Sequence, residues 1–244
     1  MLFRSGRVAE FAGSVGTVIV SSGTWANRGN VIVGSQGTGT LNVTGGSVTN
    51  QNGYVAGFDG SVGTVTVSSG TWANRSDVHV GNIGAGALNV TGGSVTNSDG
   101  YVGSIAGSVG TVTVSSGTWA NRGNLFVGDH GTGTLDVTGG SVTNSYAYIG
   151  AYADGVGTVT VSSGTWASTD NFVVGELGTG VLDVAGGSVT NRDAFVGYYA
   201  GGVGTATVSS GTWANRGNLV VGLGSSGTGT LAVSGGVVTV GGTL

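Results

Sequence analysis

Short runs of alternating apolar and polar residues recur along the chain, separated by glycine, serine and asparagine. Runs such as GTVTV at 110–114 and GTLDV at 133–137 have a period of two, which predicts strands with one buried face. A second short alternation follows each run, as TWAN or SVTN, and then a third apolar run such as NLFVG. No stretch of useful length has a 3.6-residue period, and β-branched residues dominate the apolar positions. The pattern therefore predicts an all-β protein.

The strands recur with a fixed period of 47 residues, marked by the tryptophans Trp25, Trp72, Trp119, Trp166 and Trp213. Each repeat contains two related units of 23 and 24 residues, since GTVTVSSGTWAN aligns with GALNVTGGSVTN. Such a unit cannot bury its apolar face alone, but coaxial stacking lets each strand pair in parallel with its copy in the next unit. We expect a single-stranded parallel β-solenoid (β-helix) of about ten coils with three short strands per coil, right-handed like most parallel crossovers.

The repeat covers almost the whole chain. Residues 6–244 are predicted to form one continuous solenoid of five 47-residue repeats, whereas residues 1–5 match nothing in the repeat. A hypothesis for residues 1–5 is an artefact of sequence assembly. Neither end carries a recognisable capping unit, and the two end fragments together make about one coil. We therefore expect copies to stack end to end, into filaments.

The second strand of each unit directs one large residue inward. In SVTN the valine is flanked by polar residues, and the tryptophan of TWAN has the same register, so we expect the five tryptophans in the core rather than on an exposed ligand-binding ladder. Asparagine follows this strand in eight units, and stacked asparagine amides hydrogen-bond from coil to coil. The predicted structural ladder is Asn27, Asn50, Asn74, Asn97, Asn121, Asn144, Asn191 and Asn215, with interruptions at Ser168 and Val240.

The third strand allows two alignments in the units that lack tryptophan. Counted from the tryptophan position, Tyr54, Tyr101, Tyr148 and Phe195 point inward, and we favour this register because each coil then supplies one large ring to a constant core volume. Counted back from the following glycine, the register shifts by one residue. The rings then join an outward stripe with Ile32, His79, Phe126, Val173 and Val220, which would mark an interaction surface.

Composition and charge exclude several classes of protein. The chain has 54 glycines, no proline, no cysteine and 7% charged residues, while 39% hydrophobic residues argue against disorder. The basic residues are all arginine, and the net charge of −4 offers no basic face for a phosphate backbone, so no nucleic-acid partner is expected. No apolar run is long enough for a membrane span.

The segments GTGTLNVTGGSVTN, VIVGSQGTGTL and LFVGDHGTGTL resemble the Gly- and Thr-rich repeats in passenger regions of bacterial autotransporters. The resemblance covers about residues 6–244. It implies a β-helix in an extracellular or cell-surface location. Because such repeats form stalks for adhesins, enzymes and toxins alike, it specifies no activity.

Candidate chemistry is sparse, and no catalytic activity is expected. Asp136 and Asp183 face outward two coils apart with Thr160 between them, and we interpret them as solvated carboxylates rather than a glycosidase pair. His79 and His130 are isolated in different segments, so neither a metal site nor a cofactor is expected.

Two surface patterns leave binding functions open. Arg28, Arg75, Arg122 and Arg216 follow the ladder asparagine at the same corner of alternate coils, either as solvated residues or as an edge for an anionic glycan. Outward Thr-x-Thr pairs such as Thr111 and Thr113 resemble those of insect-type antifreeze solenoids, although Asn and Asp interrupt them in alternate coils. We favour a non-catalytic structural rod, with a glycan- or surface-binding adhesin as the first alternative and an ice-binding solenoid as the second.

Overall fold

Alternating polar and apolar residues form the three strands of each coil. A computed structural model describes residues 5–223 and 227–244 as an all-β parallel solenoid of about ten coils with a repeat of roughly 24 residues, as predicted. First and second strands of successive coils form a 16-stranded sheet, and third strands form a ten-stranded sheet. The described residues contain no helix.

The strands up to the fifth full coil are β1 (Gly6–Val8), β2 (Val15–Val20), β3 (Thr24–Ala26), β4 (Val31–Val33), β5 (Thr38–Val43), β6 (Ser47–Asn50), β7 (Gly53–Val55), β8 (Val62–Val67), β9 (Thr71–Asn74), β10 (Val78–Val80), β11 (Ala85–Val90), β12 (Ser94–Asn97), β13 (Gly100–Val102), β14 (Val109–Val114), β15 (Thr118–Asn121) and β16 (Leu125–Val127). Those that follow are β17 (Thr132–Asn144), β18 (Ala147–Ile149), β19 (Val156–Ser168), β20 (Phe172–Val174), β21 (Thr179–Asn191), β22 (Ala194–Val196), β23 (Val203–Asn215), β24 (Leu219–Val221), β25 (Thr228–Val233) and β26 (Val237–Val240).

The prediction of three separate strands is wrong for four coils. In β17, β19, β21 and β23 the first and second strands are continuous over 13 residues. The register between β17 and β19 shifts on either side of Thr138, so the glycine-rich corner is a bulged bend within one strand. The bend still directs both halves of the strand around the same core.

The 23- and 24-residue units differ only in their connections. Units with tryptophan have three residues between the ladder asparagine and the third strand, as between Asn27 and Val31, whereas the alternate units have two, as between Asn50 and Gly53. The alternate units instead have a longer loop after the third strand. The extra residue therefore lies in a corner, and all three strands keep their alignment from coil to coil.

The core is a continuous column of aliphatic and tryptophan side chains. Trp72, Trp119, Trp166 and Trp213 are fully buried, and Trp25 is half-buried in the first coil. The first strands supply pairs such as Leu41 and Val43, Val65 and Val67, Leu88 and Val90, and Leu182 and Val184. Burying each such pair contributes about 3–5 kcal/mol before conformational entropy is counted.

The favoured inward register of Tyr54, Tyr101, Tyr148 and Phe195 is wrong. Their inward neighbours are Gly53, Gly100, Ala147 and Ala194, which are buried, while the rings are partly exposed. The indole of the next coil occupies the space beside each small residue. A Cβ at Gly100 would lie 2.8 Å from Trp119 Cζ2, and one at Gly53 would overlap Trp72. Core volume is therefore balanced by tryptophan against glycine or alanine, and the rings are displaced outward.

The corner after the third strand needs a left-handed backbone. Gly128 has φ 71°, and a Cβ there would overlap the backbone of Val156. Ala56 adopts the same conformation with φ 61°, which costs an L-residue about 1 kcal/mol relative to glycine. This corner turns the chain away from the ten-stranded sheet in every described coil.

Candidate functional site

The interior tryptophans and asparagines form one hydrogen-bonded ladder. Trp119 Nε1 donates to Asn97 Oδ1 at 2.9 Å, and Asn97 Nδ2 donates to Asn121 Oδ1 at 2.6 Å. Asn121 Nδ2 then donates to the carbonyl of Thr143 at 3.2 Å. The same tryptophan-to-asparagine bond joins Trp72 to Asn50, Trp166 to Asn144 and Trp213 to Asn191. These polar groups are satisfied within the rod and are unavailable to a ligand.

The two irregular positions of this ladder behave differently. Ser168 accepts a hydrogen bond from Asn144 Nδ2 at 2.9 Å, so it continues the ladder that the sequence suggested it interrupts. Asn27 is buried in the first coil, and neither of its amide atoms has a hydrogen-bond partner among the described residues. In the equivalent units Oδ1 accepts from the asparagine of the preceding coil, as Asn121 Oδ1 does from Asn97, and Asn27 Oδ1 has no such neighbour among the described residues.

A second polar ladder, which the sequence reasoning missed, lies at the corner before the third strand. Asp99 Oδ1 accepts from the backbone N–H of Asn124 at 2.6 Å, and Asp77 Oδ1 accepts from Asp99 N–H at 3.1 Å. Asn30, Asn52, Asp193 and Asn218 make the same contact to the next coil. The available signal was an Asx residue at this position in eight coils, with Tyr146 and Thr243 in its place in two others.

The outward stripe on the ten-stranded sheet consists of Ile32, Tyr54, His79, Tyr101, Phe126, Tyr148, Val173, Phe195 and Val220, paired in this order across adjacent strands. Five consecutive members are aromatic rings. Their centroids are 5.0, 4.6, 5.0 and 5.0 Å apart, with interplanar angles of 14°, 4°, 10° and 10°. The coil spacing of parallel strands therefore produces a continuous face-to-face stack on the surface.

This stacking decides which part of each ring a ligand meets. The faces of His79, Tyr101 and Phe126 are covered by the rings above and below, so only their outer edges reach solvent. Binding of sugars by stacking needs an open ring face, which these three rings do not offer. Burial raises the pKa of the Tyr101 hydroxyl to about 12, with a further contribution from Asp99.

A second apolar row lies beside the outward stripe, on the loops after the third strand. It includes Phe58, Ile105, Tyr152, Leu177 and Tyr199, all substantially exposed. Between the stripe and this row is an open pocket of about 380 Å³, lined by Asn30, Ile32, Tyr54, Gly57, Phe58, His79, Asn82 and Ile83. The pocket is a concavity on the outward face of the described sheet, with apolar walls and two asparagine side chains.

Two histidines have polar partners near the stripe. His79 Nδ1 lies 3.1 Å from Ser104 Oγ, and burial lowers the pKa of His79 to about 4 despite a nearby Asp77. Ser104 is itself buried, so its hydroxyl cannot reach a substrate. His130 Nδ1 lies 2.8 Å from Asp154 Oδ1, and its ring stacks on Tyr152 with centroids 4.1 Å apart.

Buried carboxyl groups lie in the same loops. Burial raises the pKa of Asp129 to about 6, and it raises the pKa of Glu176 as well. Across the described ranges, no group of three or more His, Asp or Glu side chains is arranged to hold a metal ion. The loops therefore carry titratable groups without assembling a recognisable reaction centre.

The candidate residues on the other faces remain apart from these loops. Asp136 and Asp183 both pair with Thr160, so they are two coils apart on the first-strand face. The Thr-x-Thr pair at Thr111 and Thr113 lies on the same face, and Asp136 pairs with Thr113. No helix within residues 5–223 and 227–244 is long and apolar enough to cross a membrane.

The corner arginines are partly engaged with the rod itself. Arg122 Nη2 lies 3.4 Å from the carbonyl of Asn74, and Arg216 Nη2 lies 3.4 Å from that of Ser168, each two coils away along the rod. Arg28 and Arg75 are exposed at the same corner. The four side chains thus line one edge of the ten-stranded sheet.

Comparison with known proteins assigns no family. No protein-family model, no curated protein and no solved structure matches the chain.

Proposed function

We propose that the chain is a non-catalytic structural rod of a bacterial surface or secreted protein, related to the repeats of autotransporter passengers. The Gly- and Thr-rich repeat motifs and the parallel solenoid fold support the proposed relation. At about 4.8 Å per coil, ten coils span about 48 Å.

The observation that carries this proposal is that polar side chains form hydrogen bonds between neighbouring coils. The indole N–H of Trp119, the amide of Asn97 and the carboxylate of Asp99 each bond to a neighbouring coil. Polar groups in an enzyme site are instead left free to meet a substrate. A rod needs rigid, repeated contacts between coils, and these residues provide them.

End-to-end association is part of the same proposal. Within the described residues, β2 and β25 each pair with a first strand on one side only. Val15 and Ile19 are exposed at one of these edges, and Val233 and Val237 at the other. Unpaired strand edges and uncovered apolar residues favour pairing with further coils, here those of another copy.

Electron microscopy and sedimentation across a concentration series test this association. We expect rods that lengthen with concentration. Val233→Lys places a charge on the inward ladder of β25 where its side chain is 50% exposed, and it should abolish lengthening without unfolding the rod. Ala232→Lys adds the same charge to the outward side of that strand and should not. Length that is independent of concentration in the native chain would contradict the proposal.

A glycan-binding adhesin is the second candidate function, because the pocket beside Tyr54 combines apolar walls with the amides of Asn30 and Asn82. Phe58 is 41% exposed there, so it offers a surface to a sugar. Calorimetric titration with soluble glycans tests this function. Binding that is lost in Phe58→Ala and retained in the distant Phe11→Ala would support it, and no heat with any glycan would contradict it.

A further inference from the structure

We propose that the outward face of the ten-stranded sheet is a self-association surface, on which two copies of this chain lie side by side and parallel with their outward stripes in contact. This lateral pairing goes beyond the end-to-end stacking proposed above and uses a different surface. It follows from the apolar centre of the face and from the unequal charges on its two edges.

The centre of this face is apolar from Ile32 to Val220, and Arg7 occupies the same outward position on the first strand of the sheet. The stripe runs from Ile32 to Val220 without a charged residue, and the exposed loop row widens it at Phe58, Ile105 and Tyr152. Nine coils at about 4.8 Å and a width of about 15 Å give roughly 650 Å², near the 800 Å² that a standard interface buries per partner. A surface of this size is sufficient for a stable dimer.

One edge of the face is acidic. Here the loop edge means the turns that follow the third strands, and it carries Glu10, Asp59, Asp129, Asp154 and Glu176. Among the described residues this edge holds no arginine. Glu10, Asp59 and Asp154 are exposed. Glu10 forms an ion pair with Arg7, whereas Asp59 and Asp154 face solvent, with His130 Nδ1 2.8 Å from Asp154 Oδ1.

The opposite edge exposes arginine. Here the arginine edge means the corners before the third strands, and it carries Arg28, Arg75, Arg122, Arg192 and Arg216, all exposed. Four carboxylates on this edge, Asp77, Asp99, Asp170 and Asp193, are only partly exposed. Asp77 and Asp99 accept backbone hydrogen bonds from the next coil, and Asp170 and Asp193 form ion pairs with Arg192. The charges that reach furthest into solvent on the two edges are therefore opposite in sign.

These edges specify the orientation of a symmetric pair. Bringing two copies together with a two-fold axis along the rod places the arginine edge of one against the loop edge of the other, on both sides of the interface. A two-fold axis across the rod gives antiparallel copies and places each arginine edge against its own kind. Like charges in an interface disfavour that arrangement, so the pair is parallel.

The charges also match in height along the rod in the parallel arrangement. Arg122 and Asp154 lie in adjacent coils, as do Arg75 and Asp59. One coil is about 4.8 Å, which the flexible side chain of arginine spans. Two-fold symmetry makes each of these pairings twice.

Charge reversal tests the pairing. In the Val233→Lys background, which removes end-to-end stacking, sedimentation equilibrium should show a particle of twice the chain mass. Asp59→Arg with Asp154→Arg should weaken the dimer about tenfold or more, and Arg75→Glu with Arg122→Glu should do the same. Mixing the two variants should restore a heterodimer, since each then meets the opposite charge on both edges. The proposal would be overturned if the Val233→Lys protein with an otherwise native face were strictly monomeric, or if mixing the two variants did not restore a dimer.

Single cysteines test the orientation, because the chain has none of its own. Ile32→Cys lies near one end of the stripe and meets its own copy only in a parallel pair, whereas Phe126→Cys near the middle meets its copy in either orientation. With a thiol-to-thiol cross-linker that spans the roughly 10 Å between packed sheets, we expect cross-linked dimers from both variants and none from Thr113→Cys, which lies on the first-strand face. Cross-linking of Phe126→Cys without Ile32→Cys would show an antiparallel pair and overturn the proposal, as would no cross-linking of either.

Discussion

The second and third strands of each coil both stack large side chains along the rod, but one stack is inside and the other outside. The interior stack consists of Trp72, Trp119, Trp166 and Trp213, each fully buried and bonded to an asparagine. The exterior stack of Tyr54 through Tyr148 has its ring faces covered but its edges in solvent. The exterior rings lie in consecutive coils, whereas the tryptophans lie in every second coil with a valine between them, and only the tryptophans are required to close the core.

Removing one ring from each stack gives the largest contrast. Trp119→Ala should lower the free energy of unfolding by about 4 kcal/mol, because it leaves a cavity and removes the partner of Asn97. Tyr101→Ala should lower it by about 1 kcal/mol, since it loses ring stacking and only part of its buried area. Denaturant unfolding of the two variants measures both values, and equal losses would contradict the assignment of the two stacks.

The next largest loss of stability is expected when the space beside the indole of Trp119 is filled. Gly100→Val should destabilise the protein by about 3 kcal/mol, because the new side chain meets Trp119 Cζ2 and Asn121 Oδ1. Tyr101→Val, one residue away on the outward side, is the matched control and should cost less. Thermal unfolding of both variants compares them, and a tolerated Gly100→Val would mean that the indole lies elsewhere.

The asparagine ladder is expected to contribute less than the rings of the core. Asn97→Ala leaves the Trp119 N–H and Asn121 Oδ1 without partners, which should cost about 2 kcal/mol. Asn121→Ser should cost less, because Ser168 occupies the equivalent position and still accepts from Asn144. The order of the two midpoints in denaturant checks this, and a more damaging Asn121→Ser would contradict it.

The smallest effect is a pH dependence of the exterior stack. Burial lowers the pKa of His79 to about 4, so the unfolded chain binds more protons between about pH 6.5 and pH 4. Stability should be fully present above pH 6.5 and decrease as the pH drops through this window, because burial in the folded stack disfavours the charged imidazolium. His79→Phe keeps a ring in the stack and should remove that decrease.

Asp129 provides a test of the opposite sign. Because burial raises its pKa to about 6, the folded chain binds the proton more tightly, and its contribution favours folding as the pH falls below 6. Asp129→Asn should therefore steepen the loss of stability on acidification, as measured by unfolding at several pH values. An unchanged slope in both variants would show that neither group is shielded from solvent.

The accuracy of sequence-based prediction follows the length of each alternating segment. The first strand alternates over five or six residues, so its inward positions, such as Leu88 and Val90, could be read directly. The third strand has three residues, and the connection before it differs by one residue between units, so the orientation of Tyr101 could not be fixed by counting. The orientation of Tyr101 is decided by the size of Trp119 in the next coil, which leaves room only for Gly100 on the inward side. This contact joins residues that are not linked by any local sequence pattern.

The arginine edge shows the same limit for the candidate site. The spacing of Arg75 and Arg122 in the sequence predicted that they share one corner. It did not predict that Arg122 contacts the carbonyl of Asn74 two coils away. The acidic loop edge was also missed, because only Asp129 and Glu176 of its five carboxylates share a position in the 47-residue repeat. Only the fold shows that both edges flank one apolar face.

The central claim is that adjacent residues of the third strand point to opposite sides, with the stripe outward. Its most direct test is thiol labelling of Leu125→Cys and Phe126→Cys in the folded, dilute monomer. Leu125 is fully buried and Phe126 belongs to the partly exposed outward stripe, so Phe126→Cys should label without local opening of the rod. Leu125→Cys should be protected by about a hundredfold or more, because labelling requires local opening. Protection of Phe126→Cys with rapid labelling of Leu125→Cys would contradict the account.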